Sequence, residues 1–248
     1  MFARVLERAI AELGLELSPA ARAALEAHTR LLVAWNRHIN LTAIRTDEAI
    51  ALEHIADSLA AVPLLRRWTA VHRTPHAPGS GLLDLLDLGS GGGYPGIPLA
   101  TVLPAGRAAL VESIGKKAAF LRVAVASVGA ILRDAGGESP DFLVVAERAE
   151  ALASNPGYRG AWDVVTARAV ASLPRLAGLA LPFLRPGGAL VAWKRDAGNG
   201  ALIAEMEALA TALARLGIQA VVRVEPVGTT GLTDHRLVIV EKSSALLP

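Results

Sequence analysis

Between Asp87 and Gly96 the chain reads DLGSGGGYPG, with four glycines in the five residues from Gly89 to Gly93. Such a loop lets the backbone turn at positive φ and pass close to a ligand, where a Cβ would intrude. Gly91, Gly93 and Gly96 satisfy the G-x-G-x-x-G spacing of dinucleotide-binding loops, a spacing that by itself admits NAD(P). Asp87 stands two positions before Gly89, the first glycine of the loop. Further on, Glu112 in LVES can accept both hydrogen bonds of a vicinal ribose diol, or serve as a helix-start carboxylate beside Ser113. Both acids speak for a nucleoside cofactor. With no cysteine, six scattered histidines and no HExxH spacing, the chain offers no thiol nucleophile, no disulfide, no evident metal site and no persuasive proton-transfer dyad.

Two kinds of element must position that loop. Residues 1–69 read as helices only. Phe2, Val5, Leu6, Ala9, Ile10 and Leu13 form one stripe ended by Gly14; Ser18 before Pro19 caps a second helix with the stripe Leu25, His28, Leu32, Trp35 and Ile39. Thr46 and Asp47 cap a third, with the stripe Leu52, Ile55, Leu59 and Val62. Core packing is the reading for His28, Trp35 and His54, and caps or turns for His38 and Asn40. Residues 70–81, rich in Pro, Gly and His, read as a linker.

From residue 82 to 248 apolar runs alternate with helical patterns. Strands are expected at Leu82–Leu88, Ala108–Glu112, Phe142–Ala146, Trp162–Ala167 and Gly188–Trp193, with helices near Ile97–Leu103, Lys116–Val128, Ser172–Leu184 and Ala201–Leu216. Continuous apolar strands between helices mean a parallel sheet covered on both faces. The last two strands, AVVRVEPV and HRLVIVEK, are separated by seven residues, too few for a crossover helix, so that pair is antiparallel. Five parallel strands plus a terminal hairpin describe an α/β, Rossmann-like fold, and with the register of Asp87, Gly89, Gly91 and Gly93 this resembles the class I S-adenosylmethionine-dependent methyltransferases.

Composition sets wider bounds. A 52% apolar content suits a packed core, and 25 basic against 23 acidic residues allow a nucleic-acid partner without requiring one. Glu7 and Glu12 interrupt the amino-terminal apolar pattern, against a signal peptide, and no apolar run is long enough for a membrane span. A cytoplasmic protein without a membrane partner is expected.

WNRHINLTAI, HIADSL, DLGSGGGYPGIPLA, VESIGKKAAFLR, TARAVASL and LPFLRPGGALVAWKR, in this order, resemble the bacterial 16S ribosomal RNA guanine-N7 methyltransferases of the glucose-inhibited division protein B family. The resemblance implies S-adenosylmethionine-dependent methylation of a guanine in a loop near the decoding region. Gly89 and Tyr94 fall on its cofactor-contacting loop positions, Glu112 and Ser113 on the ribose side, Ala149 and Glu150 at the adenine end, and Arg168 beside cofactor and base. Tyr94 replaces the usual phenylalanine or leucine.

Guanine N7 is methylated through a neutral lone pair, so no general base is needed, and Arg168 is nominated as a positioning residue. Its alternative is an ion pair with Asp163 or Asp87. Lys116, Lys117, Arg122, Lys194, Arg195 and Arg236 are candidates for RNA phosphates if they gather around one crevice. The amino-terminal helices either dock RNA or cover a sheet edge, and a monomer suffices for either. Two other readings stand beside this one: an NAD(P)-linked oxidoreductase, and a non-catalytic RNA-binding or ribosome assembly factor.

Overall fold

The computed structural model describes residues 2–72 and 82–243. The helical region comprises α1 (Phe2–Glu12), α2 (Pro19–Trp35), α3 (Asp47–Ala49), a π-helical segment Ile50–Ala56, α4 (Asp57–Leu59) and α5 (Val62–Val71). Local chemistry sets its punctuation. The Ser18 side chain accepts from the Ala21 amide at 3.1 Å, and that of Thr46 from Ala49, each satisfying an orphan donor of a first turn. The turn after α2 is built by Asn36, whose carbonyl oxygen accepts from the Leu41 and Thr42 amides while its amide nitrogen donates to Thr42 O.

The expected third helix is corrected here. Of the expected stripe, Ile55, Leu59 and Val62 are fully buried, while in the π-helical segment Leu52 is half-exposed, and His54 and Asp57 are buried beside the stripe. Val62 begins the separate helix α5. That helix runs on to Val71, past the expected boundary at 69, and most of the expected linker lies outside the described residues.

Seven strands follow: β1 (Leu83–Leu88), β2 (Ala105–Val111), β3 (Asp141–Val145), β4 (Trp162–Arg168), β5 (Leu184–Arg195), β6 (Ala220–Pro226) and β7 (His235–Lys242). Between them lie α6 (Gly96–Val102), α7 (Gly115–Asp134), α8 (Ala149–Leu152), α9 (Leu173–Ala180) and α10 (Ala201–Arg215). The expected helix Ser172–Leu184 stops at Ala180, and a 3₁₀ turn, Leu181–Phe183, leads into a β5 longer than expected. The short α8 lacks enough residues for a periodic signal.

The sheet order is β3-β2-β1-β4-β5-β7-β6. The first five strands are parallel, and β7 is antiparallel to both its neighbours. The chain winds outward from β1 to β3 and then returns to β4 beside β1, so the sheet's switch point lies between β1 and β4, where ligands bind at the carboxyl ends of such strands.

Each apolar strand serves two cores. Leu85, Leu110, Val164 and Val191 face the helical region, α6 and α7 in one continuous cluster. Leu86, Ala109, Val165 and Leu190 face α9 and α10 in the other. The amino-terminal helices therefore share their hydrophobic core with one face of the sheet. Among the described residues, no helix is long and apolar enough to cross a membrane.

The amino-terminal ends of the central strands are clamped by charge. Asp84, buried in β1, takes Arg107 at 2.7 Å and Arg185 at 3.0 Å; Asp163 takes the second arm of Arg185 at 2.7 Å and accepts from the Asp84 amide. Removing one partner of such a cluster leaves the others desolvated and unpaired. Asp84→Ala is expected to lower the unfolding free energy by about 2–3 kcal/mol in urea titrations, with an unchanged denaturant slope.

Candidate active site

The glycine loop leaves β1 at the switch point. Gly89, Gly91 and Gly93 all have positive φ, at +66°, +53° and +87°. A Cβ on Gly89 would lie 2.8 Å from the Val170 side chain, and one on Gly93 2.6 Å from Ile97 and 2.9 Å from His28 Nε2. Glycine is thus required by crowding as well as by backbone angle.

Two acids shape this loop. The Glu112 carboxylate accepts the Gly91 amide at 3.0 Å and the Ile114 amide at 2.8 Å, tying the loop to the end of β2. Asp87 is fully buried behind the loop: it accepts from Thr166 Oγ1 at 2.7 Å and the Gly96 amide at 3.3 Å. Its carboxylate is occupied by the protein and lines neither of the cavities described below, contrary to its expected place among the cofactor contacts. Burial pushes its pKa up to about 6.

Tyr94 is sandwiched between His28 and His54, at ring separations of 4.6 and 4.5 Å. Its hydroxyl is buried, with no well-formed hydrogen bond among the described residues. His28 Nε2 donates to the Gly92 carbonyl at 2.8 Å, so a residue of the second helix grips the loop. Burial holds His28 down to about 4. For His54, burial together with the nearby Arg168 cation lowers the pKa to about 3.

Arg168, at the end of β4, does form an ion pair, but with neither Asp163 nor Asp87. It donates to Asp57 Oδ2 at 3.0 Å, to Glu53 O at 2.7 Å and to His54 Nδ1 at 3.0 Å. Asp163 belongs to the clamp at the opposite end of the strands. The other Asp57 oxygen accepts from His235 Nδ1 at 2.8 Å, and the Asp57 carbonyl takes the Trp193 indole N–H. Directly after Arg168, Ala169 has φ of +57°, an uncommon conformation for a residue with a side chain and one found where sites store strain.

Two cavities open over these residues, and both are lined by Gly89. The larger, of about 560 Å³, is walled by Thr42, His54, Asp57, Tyr94, Arg168 and Trp193 among others. The smaller, of about 260 Å³, is lined by Glu112, Ser113, Ala149, Glu150, Val170 and Leu179 among others. The structure therefore brings Gly89, Glu112, Ser113, Ala149 and Glu150 together on one side of the loop, and Gly89, Gly91, Tyr94 and Arg168 on the other. Gly93 sits behind, packed on His28.

The six basic residues do not gather around one crevice. Lys117, Lys194 and Arg195 line the larger cavity. Lys116 and Arg122 are exposed on α7 away from both cavities, and Arg236 is drawn aside to Asp196 and to the carbonyls of Thr233 and His235. Lys194 is itself paired with Glu205, and Arg195 with Glu53.

Sequence reading missed Thr42, Glu53, Asp57, Trp193 and His235, and placed His54 in the core. One signal was available: Asp57 lies between Ile55 and Leu59 of the expected apolar stripe, and an acid buried there needs a cationic partner.

Sheet order, the glycine loop at the switch point and the crevice above it define a class I S-adenosylmethionine-dependent methyltransferase fold. The O-methyltransferase from Bacillus cereus in complex with SAH is similar in fold, with a TM-score of 0.53 at 17% identity over 89% of this chain and 91% of that one. The sequence profile of the GidB family, rRNA small subunit methyltransferase G, matches residues 21–221, and the chain belongs to this family. It is 40% identical over 217 residues to the ribosomal RNA small subunit methyltransferase G of Roseiflexus sp. (strain RS-1), covering 87% of this chain and 81% of that protein. With the protein of the same name from Dehalococcoides mccartyi (strain CBDB1), identity is 36% over 236 residues, 95% of this chain and 89% of that one. Family membership makes the protein a methyltransferase and disfavours the oxidoreductase and non-catalytic readings.

The buried histidines and Asp87 have opposite effects on stability. His28 and His54 bind protons more readily when unfolded, so their contribution to stability is lost as pH falls below the ordinary value of 6.5. Asp87 costs stability where it must ionise inside the fold, and this cost shrinks as pH falls through about 6. Two histidines outweigh one carboxylate. The unfolding free energy from urea titrations is expected to fall by about 2 kcal/mol between about pH 7 and pH 5, and an unchanged or rising value would contradict the assignment.

Proposed function

We propose that the protein transfers the methyl group of S-adenosylmethionine to N7 of a guanine in a loop of small-subunit (16S) ribosomal RNA near the decoding region. The observation that carries this reading is the pair of cavities meeting at Gly89, one suited to a nucleoside and the other large enough for a base. The relatives' names support the RNA class, and the sequence resemblance supports the N7 position.

The smaller cavity fits the cofactor's adenosine. Glu112 keeps lone pairs beyond those given to two amides and is placed to accept from ribose hydroxyls. Ser113 stands beside it, while Ala149, Glu150, Val170 and Leu179 offer walls to the adenine. Gly89 forms a cradle that a Cβ would fill. In this reading Asp87 and Gly93 act indirectly, by holding the loop that Gly89, Gly91 and Tyr94 present. Bound there, S-adenosylmethionine supplies an electrophilic methyl group, which a neutral guanine N7 accepts without giving up a proton.

The residues of the larger cavity then need only bind, orient and exclude water. Both ring nitrogens of His54 are occupied and its pKa is far below neutrality, so it is no general base. Arg168 is a positioning residue: its ion pair with Asp57 offsets a cation that would otherwise oppose a positively charged product base. Lys117, Lys194 and Arg195 serve RNA phosphates, while Lys116, Arg122 and Arg236 are left to a wider footprint. The helices of residues 1–69 form one wall of the RNA site as a small helical domain against the methyltransferase domain of residues 82–248. The protein works in the cytoplasm as a monomer, on 16S ribosomal RNA or on the small ribosomal subunit.

Transfer of a labelled methyl group to small-subunit RNA, offered naked and as subunits lacking the modification, tests the reading. A single N7-methylguanine in one loop is expected, and no transfer to either form would overturn it. In calorimetry, Glu112→Ala is expected to weaken S-adenosylmethionine binding about 10- to 100-fold, with Glu112→Gln falling between, because the amide keeps one acceptor oxygen.

A further inference from the structure

Thr42 leaves the turn after α2 and lines the larger cavity together with His54, Tyr94 and Arg168. A threonine hydroxyl can ordinarily give or accept a hydrogen bond, and here its surroundings remove that freedom. Arg168 has only donors, so at 3.0 Å its guanidinium must donate to His54 Nδ1. A neutral imidazole with Nδ1 accepting carries its hydrogen on Nε2. That nitrogen lies 2.7 Å from Thr42 Oγ1, which must accept. The Ile44 amide donates to the same oxygen at 3.0 Å. Both lone pairs of Thr42 Oγ1 are then used, and among the described residues no acceptor takes its hydrogen.

We infer that Thr42 is a specificity-determining residue, a donor-only hydroxyl that reads O6 of the target guanine. The inference rests on the reading of N7 methylation above. Guanine presents N7 and O6 side by side, both acceptors, whereas adenine presents N7 beside an N6 amino donor. With N7 aimed at the methyl group, the neighbouring atom on that edge is O6 in guanine and N6 in adenine. A hydroxyl that can only donate satisfies the first and meets the second with two donors and no acceptor, so adenine is rejected by a polar group left unpaired. The other donors of this wall suit the role less well. Arg168 already gives three hydrogen bonds, Lys194 and Arg195 are held by Glu205 and Glu53, and Lys117, on the same wall, is given above to RNA phosphates.

The test compares wild type, Thr42→Val and Thr42→Ser on small-subunit RNA carrying, at the position the wild type methylates, either guanine or 2-aminopurine, which keeps N7 and lacks O6. On guanine RNA, Thr42→Val is expected to lower kcat/KM for labelled-methyl transfer about 10- to 100-fold, and Thr42→Ser to recover most of the loss. On 2-aminopurine RNA the wild type should lose its advantage, so that wild type and Thr42→Val become nearly equal. If transfer to that RNA is undetectable, the Kd values of both RNAs in the presence of S-adenosylhomocysteine give the same comparison. An equal loss for Thr42→Val on both RNAs would mean that the hydroxyl merely props His54 and Ile44, and would overturn the inference. Failure of the wild type on guanine RNA would instead overturn the N7 reading on which it rests.

Discussion

Asp57 is 1% exposed, and a carboxylate so far from water must be paired, because its desolvation would otherwise cost several kcal/mol. Its partners come from the far side of the molecule. Arg168 at the end of β4 and His235 at the start of β7 each take one oxygen, and Trp193 of β5 takes the backbone carbonyl. One residue of the helical region is thereby fixed to three strands at the carboxyl edge of the sheet. The larger cavity owes one wall to this arrangement, since Glu53, His54, Asp57, Arg168, Trp193 and His235 all line it.

The π-helical segment makes that bridge geometrically possible. It precedes Asp57 directly, and His54 within it and Asp57 after it are both buried alongside Ile50, Ile55 and Leu59. Single-turn departures of this kind recur at functional sites.

A second constraint acts from below. The glycine loop is held from three directions: Glu112 at the end of β2, Asp87 in β1, and His28 reaching across from α2. Each of these grips uses a backbone amide or carbonyl, and the loop's own Ser90 adds a hydrogen bond from its hydroxyl to the Asp87 carbonyl. Preorganisation of this kind lets a ligand bind without the cost of ordering glycine-rich backbone, the most flexible kind of chain. The neutral state of both buried histidines belongs to the same design. An imidazolium at His54 would set a second positive charge beside Arg168, whose guanidinium lies 3.0 Å from its Nδ1.

Much of this was legible in the sequence. The strand and helix order, the antiparallel last pair and the placement of Gly89 and Glu112 at strand ends follow from local periodicity, glycine content and loop length, which act over a few residues. The capping of α2 by Ser18 is equally local. Other features were decided only in three dimensions. Asp87 looked like a ligand contact because of its place in the motif, yet Thr166 and Gly96, both brought to it by the fold, occupy its carboxylate. For Arg168, nominated as a positioning residue, the alternative of an ion pair pointed to Asp163 or Asp87, while its actual partner Asp57 lies 111 residues earlier in the chain. The three basic residues that line the crevice could not be told from the three that do not, because helix rotation and competing carboxylates decide where a long side chain ends. Sequence thus determined which elements form and where the loop sits, since short-range sterics and burial period govern both. The pairing of buried charges was left to tertiary structure, because electrostatic partners are chosen by proximity in the fold and carry no fixed spacing along the chain.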